Sequence, residues 1–419
     1  ASGLPVIELL TESNKIVYPE NVVKFAESSP KGISSAINSL IQNDSERKLI
    51  IKTAHNWISN TSWEKSFNKV EKFIKEEVLE SNIDKNLVST IYERYENNQY
   101  EKIKSSKVKN CLVSIVVPTF NGGELLIKCV KKLCSQKVDF NFEILLIDSS
   151  SRDNSLINIE EDERISIYKI NQSDFQHGKT RNLAVTLSKG EYVAFLTQDA
   201  IPSNQDWLKN IILPLVNDKE VCAVFGRHIS HENHTKLSKR AMDSFFEQFQ
   251  KTRKYRYDDD LNKYFSENPS YRQYLHYYSD NNSCLRKSIW EEFPYHDVDY
   301  GEDQLWADWV INSRKTKAFA NNAVVFHSHE YSVKEEFERS RIESNFFFKY
   351  FGYDISQNRF ELEVGLQNEA KQFLNEWKLF YKNDNKINKN YQLDLMRAKR
   401  EGYILGVNEA INEIEMGSL

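Results

Sequence analysis

Several short stretches of the chain carry side chains able to do polar chemistry, each where a strand or helix is expected to begin or end. Asp199 follows the apolar run Tyr192–Leu196, in Phe195-Leu196-Thr197-Gln198-Asp199-Ala200. A carboxylate there offers the oxygen ligand that Mg2+ or Mn2+ takes when it bridges two phosphates. His327 and His329, in Val324-Val325-Phe326-His327-Ser328-His329, stand at i and i+2 of an extended run and so share one face. Imidazole is a good Mn2+ ligand, so one of them could complete a site begun by Asp199. Glu302 and Asp303 fall in the first turn of a helix expected to continue to about Ile311. Adjacent helical residues point about 100° apart, so only one of the two should face a cleft, where it could act as a general base. His177, Lys179 and Arg181 gather at another helix start, in Asp174-Phe175-Gln176-His177-Gly178-Lys179-Thr180-Arg181-Asn182. Free backbone N–H groups there already favour an anion, and a diphosphate suits such a place.

Two further loops could hold a nucleoside: Val117-Pro118-Thr119-Phe120-Asn121-Gly122-Gly123, and Asp148-Ser149-Ser150-Ser151-Arg152-Asp153, whose first carboxylate could accept from a base imide or a ribose hydroxyl. Each stretch alone has an ordinary structural reading. The loops could be plain turns, the carboxylates helix caps, the histidines structural and the basic cluster a solvated helix face.

The elements that must position these residues are legible in the apolar pattern. Val113–Val117, Phe142–Ile147, Ile165–Ile170 and Tyr192–Leu196 read as short strands, with a helical pattern through Leu133 between the first two. Strands alternating with helices predict βαβ units, a parallel sheet and an α/β fold, with ligands at the strands' carboxyl ends. Residues 12 to about 108 are polar and Gly-poor, with helical spacing at Ile33-Ile37-Leu40-Ile41 and Phe67-Val70-Phe73-Ile74 and helix entries at Ser29-Pro30 and Ser62 before Trp63-Glu64. The run from Glu101 to Asn110 reads as a linker or a loose helix end. Long polar helices return beyond Ser332. The expected division is a helical N-terminal region at 1–108, a catalytic domain at 109–350 and a helical C-terminal region at 351–419.

At 419 residues, 40% apolar and 12% aromatic, the chain can build Phe- and Tyr-rich cores. A net charge of −5 gives no electrostatic case for nucleic acid as a partner. No apolar run is long enough to span a bilayer, and the start lacks a secretory leader pattern. Five cysteines without a CxxC pair suggest reduced thiols and a cytoplasmic setting. Between Lys236 and Tyr257 basic and aromatic residues interleave. That segment could be an acceptor lid, a peripheral membrane contact at the inner face of the cell membrane, or an amphipathic helix packed on the sheet.

In series, VVPTFNGG, LLIDSSSRDNS, FQHGKTRN, GEYVAFLTQDA, NNSCLRKSIWEEFPY, GEDQLWADWV and VVFHSHEYS resemble glycosyltransferase family 2, inverting enzymes of GT-A fold, over about Leu112 to Arg341. The FQHGKTRN, GEDQLWA and HSHEYS forms look most like bacterial rhamnosyltransferases that build O-antigens and other surface polysaccharides. The resemblance implies a GT-A catalytic domain using dTDP-L-rhamnose and a divalent cation, Mg2+ or Mn2+, with an oligosaccharide or lipid-linked glycan as acceptor. It further implies that Pro118, Thr119, Asn121 and Asp148 contact the nucleoside, with Arg152 and Gln198 in the same donor site. His177, Lys179 and Arg181 would lie near the diphosphate, Asp199 would be the second carboxylate of a DxD metal motif, and Asp303, beside Glu302, the catalytic base. The chain departs from the pattern at Thr197, where the first Asp of DxD is expected; His327 or His329 would supply the missing ligand. A glycan- or nucleotide-binding scaffold module that has lost catalysis is the alternative implied by that departure. Ala1-Ser2-Gly3-Leu4-Pro5-Val6-Ile7, with the Ser29-Pro30 helix and the Trp57 to Glu64 segment, resembles the tail of family 4 GT-B glycosyltransferases. That implies a remnant of a second transferase domain and a setting beside other transferases.

Overall fold

The computed structural model describes residues 5–10, 18, 21–60, 92–95, 100–250, 254–265, 269–356, 362–382, 384 and 386–415. They divide into two compact units, Ala1–Lys85 and Asn86–Leu419. The first holds a parallel pair, β1 (Ile7–Leu9) and β2 (Lys24–Ala26), followed by α1 (Pro30–Gln42) and α2 (Asp44–Asn60). Ser29 caps α1 by accepting from the Gly32 N–H at 2.9 Å, and Pro30 fits its first turn. Of the apolar stripe expected on α1, Leu40 is buried whereas Ile33, Ile37 and Ile41 are exposed. Ala1–Leu4, the Ser62-Trp63-Glu64 entry and the Phe67–Ile74 spacing lie outside the described residues.

The second unit is built on a ten-stranded mixed sheet. Its strands are β3 (Tyr100–Lys104), β4 (Val113–Thr119), β5 (Phe142–Asp148), β6 (Ile165–Ile170), β7 (Tyr192–Leu196), β8 (Ile201–Pro202), β9 (Val221–Ile229), β10 (Lys254–Tyr255), β11 (Asn282–Arg286) and β12 (Thr316–Phe326), ordered β10-β12-β9-β11-β7-β4-β5-β6-β3 with β8 on β12. The four strands read from the sequence form the parallel heart, β6-β5-β4-β7. Antiparallel β11, wedged between β7 and β9, and antiparallel β3 and β10 make the sheet mixed. β3 occupies part of the expected linker. Tyr100 meets Tyr168 edge-on at 5.7 Å while Glu101 and Lys102 point to solvent, the charged dress of an edge strand.

Both faces of the parallel strands are covered, so alternate residues feed two cores. Val116, Leu145, Ile147, Val193 and Phe195 pack on one side, against a large aromatic cluster. Ile115, Val117, Ile144, Leu146, Ala194 and Leu196 pack on the other. The helices that matter below are α3 (Gly123–Cys134), α4 (His177–Leu187), α5 (Trp207–Asn217), α6 (Lys236–Gln250), α7 (Pro269–His276), α8 (Glu302–Asn312), α9 (Val333–Phe351), α10 (Leu362–Glu376) and α11 (Lys389–Glu415), with a π-helical turn at Trp377–Tyr381. The five cysteines are free thiols. Among the described residues no helix is long and apolar enough to cross a membrane.

Candidate active site

The carboxyl ends of β4, β5 and β7 meet at the point where the chain order of the parallel strands reverses, the usual crevice of an open α/β sheet. β4 and β5 end in register, Thr119 opposite Asp148, and the loops beyond them are laced together. The Asn121 N–H donates to Ser151 Oγ at 2.8 Å, Asn121 Oδ1 accepts from the Arg152 N–H at 2.8 Å, and the Gly123 N–H donates to Asp153 at 2.9 Å. Asp148 is buried and accepts from the Ser151 N–H, while Asn121 and Arg152 are exposed and Pro118 is half-buried.

Beyond β7 the chain makes a tight turn, closed by the Ala200 N–H donating to the Thr197 carbonyl at 3.0 Å, and its side chains part. Gln198 turns to the laced loops, where Oε1 accepts from Thr119 Oγ1 (2.8 Å) and the Phe120 N–H (2.9 Å) and Nε2 donates to the Phe120 carbonyl (3.1 Å). Its amide is used up in holding the loop, a different task from the donor contact expected of it. Thr197 and Asp199 line a cavity of about 1000 Å3.

That cavity gathers residues distant in sequence: His177 and Arg181 from α4, Asp199 from the turn after β7, Glu302 and Asp303 from α8, and His327 and His329 beyond β12. Asp199, His327 and His329 bring their ligand atoms within 4.8 Å of one another. Nε2 of His327 is 3.8 Å and Nε2 of His329 is 3.4 Å from an Asp199 oxygen, and the two Nε2 atoms are 3.2 Å apart. Ligands at right angles around an ion at about 2.1 Å stand about 3 Å apart, so this donor set fits a divalent cation of the Mn2+ type. Burial holds the His327 imidazole well below its ordinary value, at about 4, with Asp199 opposing. It is therefore neutral at pH 7, as a ligand must be.

α8 enters through Gly301, at φ +72°, where a Cβ would come within 2.2 Å of the Phe346 ring. The two carboxylates then part. Glu302, 3% exposed, turns inward to an ion pair with Arg181, and Arg181 Nε also lies 3.0 Å from Asp280, itself wholly buried. Asp280 takes a 2.6 Å hydrogen bond from Ser283 Oγ and one of 3.3 Å from the Tyr295 hydroxyl. Asp303 faces the cavity and accepts from the Asp280 N–H at 3.1 Å and from the Gln304 N–H at 2.8 Å. Burial pushes its carboxyl up to about 7; the Glu302 charge adds to the shift and Arg181 opposes it. A carboxylate so poised suits proton abstraction near neutral pH.

The expected basic cluster is thus split. His177 presents an exposed ring at the cavity, 3.3 Å from the Arg181 guanidinium. Arg181, expected at a diphosphate, is committed to two buried carboxylates, and Lys179 is not among the cavity-lining residues. The interleaved segment forms α6, which does two things at once. Phe246 and Phe249 are buried in the aromatic core, whereas Phe245 is open to the cavity with Met242 and, from the α7 side, Tyr274 and Tyr277. Lys251 and Arg253 lie outside the described residues. Sequence reasoning passed over Asp280: in Ser279-Asp280-Asn281-Asn282-Ser283 it reads as one polar residue of a turn.

The model of glycosyl transferase family 2 matches residues 114–289. O-antigen chain rhamnosyltransferase RfbN of Salmonella typhimurium is 30% identical over 232 residues, 54% of this chain and 69% of that protein. O-antigen chain rhamnosyltransferase WbaN of Salmonella anatum is 31% identical over 231 residues, again 54% and 69%. Among solved structures, S. aureus TarS 1-349 aligns with 16% identity over 73% of this chain and 92% of that one, at a TM-score of 0.41. With a mixed sheet flanked by helices, and relatives of this identity covered over more than two thirds of their length, the chain belongs to glycosyl transferase family 2 and is a glycosyltransferase of GT-A fold.

Proposed function

We propose that the chain transfers L-rhamnose from dTDP-L-rhamnose, with inversion, onto a hydroxyl of a growing surface polysaccharide or lipid-linked glycan at the cytoplasmic side. The observation that carries this reading is that Asp303 and the Asp199–His327–His329 set line one cavity, which also holds an aromatic arm at Phe245, Tyr274 and Tyr277. The sugar's identity and the acceptor class follow from what RfbN and WbaN are named for.

In this mechanism Asp303 takes the proton of the acceptor hydroxyl as that oxygen attacks the anomeric carbon and the bond to the nucleoside diphosphate breaks. The attack comes from the face opposite the leaving group, which inverts the centre. Hydrogen bonds from two backbone N–H groups orient the Asp303 carboxylate, and the buried Arg181 pairs hold Glu302 away from the reacting atoms. Asp199, His327 and His329 would hold a divalent cation, which supplies charge neutralisation at the departing diphosphate. The His177 ring is placed to donate to the same charge. The exposed side chains of Asn121 and Arg152 on the laced loops are the groups open to a nucleoside.

The test is nucleoside diphosphate release from dTDP-L-rhamnose, UDP-sugars and GDP-sugars with Mn2+ or Mg2+, with and without a glycan acceptor. Release from dTDP-L-rhamnose above the others, abolished in Asp303→Asn, is expected. Equal release from every donor removes the rhamnosyl assignment, and undiminished release in the variant removes the base.

A further inference from the structure

We propose that the turn Trp377–Tyr381 and the amino end of α6 form one docking surface for an anionic lipid bilayer. Leu379 is 74% exposed and Phe380 is 56% exposed, adjacent in sequence and both in the π-helical turn. Such a turn accommodates an extra residue, and here it presents two consecutive large apolar side chains while Tyr381 stays buried beneath them. The amino end of α6 lies alongside. The Arg240 guanidinium sits 4.5 Å over the Phe380 ring and 3.5 Å from the Tyr381 hydroxyl, and Lys236 Nζ is 3.9 Å from Asp384.

The charge around the two apolar tips selects the partner. The chain as a whole is acidic, at −5, yet residues 371–389 carry Lys371, Lys378, Lys382, Lys386 and Lys389 against only Glu376 and Asp384. Exposed Lys236 and Arg240 extend this basic field from α6. Lys389 Nζ, 5.7 Å from the Trp377 ring, ties the start of α11 to the same patch. Two apolar side chains supply too little buried area for strong insertion, but a ring of lysines supplies attraction to anionic headgroups, and long lysine stems let the charge reach the headgroup level. A second copy of the chain fits poorly, because a self-complementary contact would set lysines against lysines. α6 also carries Met242 and Phe245 into the large cavity, so a bilayer held here lies against the helix that walls the site.

The experiment is co-sedimentation of the full chain with vesicles of phosphatidylcholine alone and of phosphatidylcholine mixed with phosphatidylglycerol. Binding to the mixed vesicles only, weakened by added salt, is expected. The pair Leu379→Ser with Phe380→Ser, and separately Lys378→Glu with Lys382→Glu, should each lower partitioning on the order of tenfold. Nucleotide release from the donor should stay at the wild-type rate in both, showing that the folded site is intact, and Lys219→Glu, on a different surface loop, should bind vesicles as wild type does. No binding to anionic vesicles, equal binding to neutral ones, or variants that bind like wild type would overturn the proposal. So would a concentration-dependent dimer in sedimentation velocity that the same substitutions abolish, which would assign the patch to a second copy. The vesicle and sedimentation readouts do not depend on which sugar is transferred.

Discussion

Glu302 and Asp303 are neighbours with opposite fates, and the difference is set by one buried cation. Arg181 draws Glu302 inward, while burial, helped by the Glu302 charge and opposed by Arg181, lifts Asp303 to about 7. Asp303→Asn should lower turnover by about 10^2 to 10^4-fold, with the donor dissociation constant from calorimetry changed less than about threefold. Wild-type turnover should climb as pH rises through 7. The raised value also bears on stability. The folded chain binds this proton more tightly than the unfolded chain, whose carboxyl titrates near 4, so ionisation of Asp303 costs stability as pH rises between those values. Asp303→Asn should therefore gain in melting temperature relative to wild type at pH 8 compared with pH 5; the opposite trend would show that the carboxylate is not held against ionisation. Arg181→Met leaves Asp280 and Glu302 buried without their cation and should cost about 3–5 kcal/mol in urea unfolding, a loss that shrinks at lower pH as those carboxylates protonate. At the other end of the cavity, Asp199→Ala or the pair His327→Ala with His329→Ala should erase the melting-temperature rise that Mn2+ gives the wild-type chain. A rise that survives both variants places the ion elsewhere.

Elements were legible in the sequence where one periodicity dominated. The four parallel strands are short apolar runs rich in Ile, Val and Leu, and the structure places them within two residues of the expected ends. β3 was invisible because its alternation is weak: Tyr100 and Ile103 are separated by charge, and only pairing with β6 makes it a strand. β11 was hidden for the opposite reason. Asn282-Ser283-Cys284-Leu285-Arg286 has little apolar signal, yet Asn282 is buried, donating to the Arg227 and Ala323 carbonyls and accepting from Trp207 Nε1, a tertiary role that local pattern cannot show. The site followed the same rule. Residues at strand ends, such as Asp199, His327 and His329, converge because the sheet brings strand ends together, whereas the internal pairing of Arg181 depends on Asp280 about 100 residues away. α9 and α11 show an element-scale device that the sequence reading passed over, small residues one turn apart on α11. A Cβ at Gly402 would lie 2.4 Å from the Phe337 carbonyl and one at Gly406 2.1 Å from that of Arg341, so backbone meets backbone. Gly406→Val should cost about 1–3 kcal/mol by forcing the helices apart, measured by urea unfolding. An unchanged midpoint would mean that the pair can separate freely.

At the scale of the whole catalytic unit, that helix pair connects the carboxyl-terminal helices to the chemistry. α9 is part of the cavity wall, contributing Arg339, Glu343 and Phe347, and its Phe346 ring fills the space over Gly301 that sets the entry of α8. α11 holds α9 from behind: Ser344 Oγ donates to the Tyr403 carbonyl at 2.8 Å, Arg341 pairs with Glu409 at 2.8 Å and Lys349 with Glu413 at 2.9 Å. The half-buried ion pairs at the surface are worth little singly, but the close backbone approach and the buried Val407 and Ala410 are not easily replaced by water. The helices beyond 351 therefore behave as a buttress of the site, and removing residues 386–419 should be felt at Asp303, whose helix start rests on Phe346. The expected result is a shortened chain that melts at lower temperature and loses donor-dependent stabilisation, while the parallel strands, whose cores are closed by α3, α4 and α5, keep their far-ultraviolet circular dichroism. A shortened chain with full turnover would show that α9 holds its position unaided, and the route from α11 through Phe346 to Asp303 would carry no weight in catalysis.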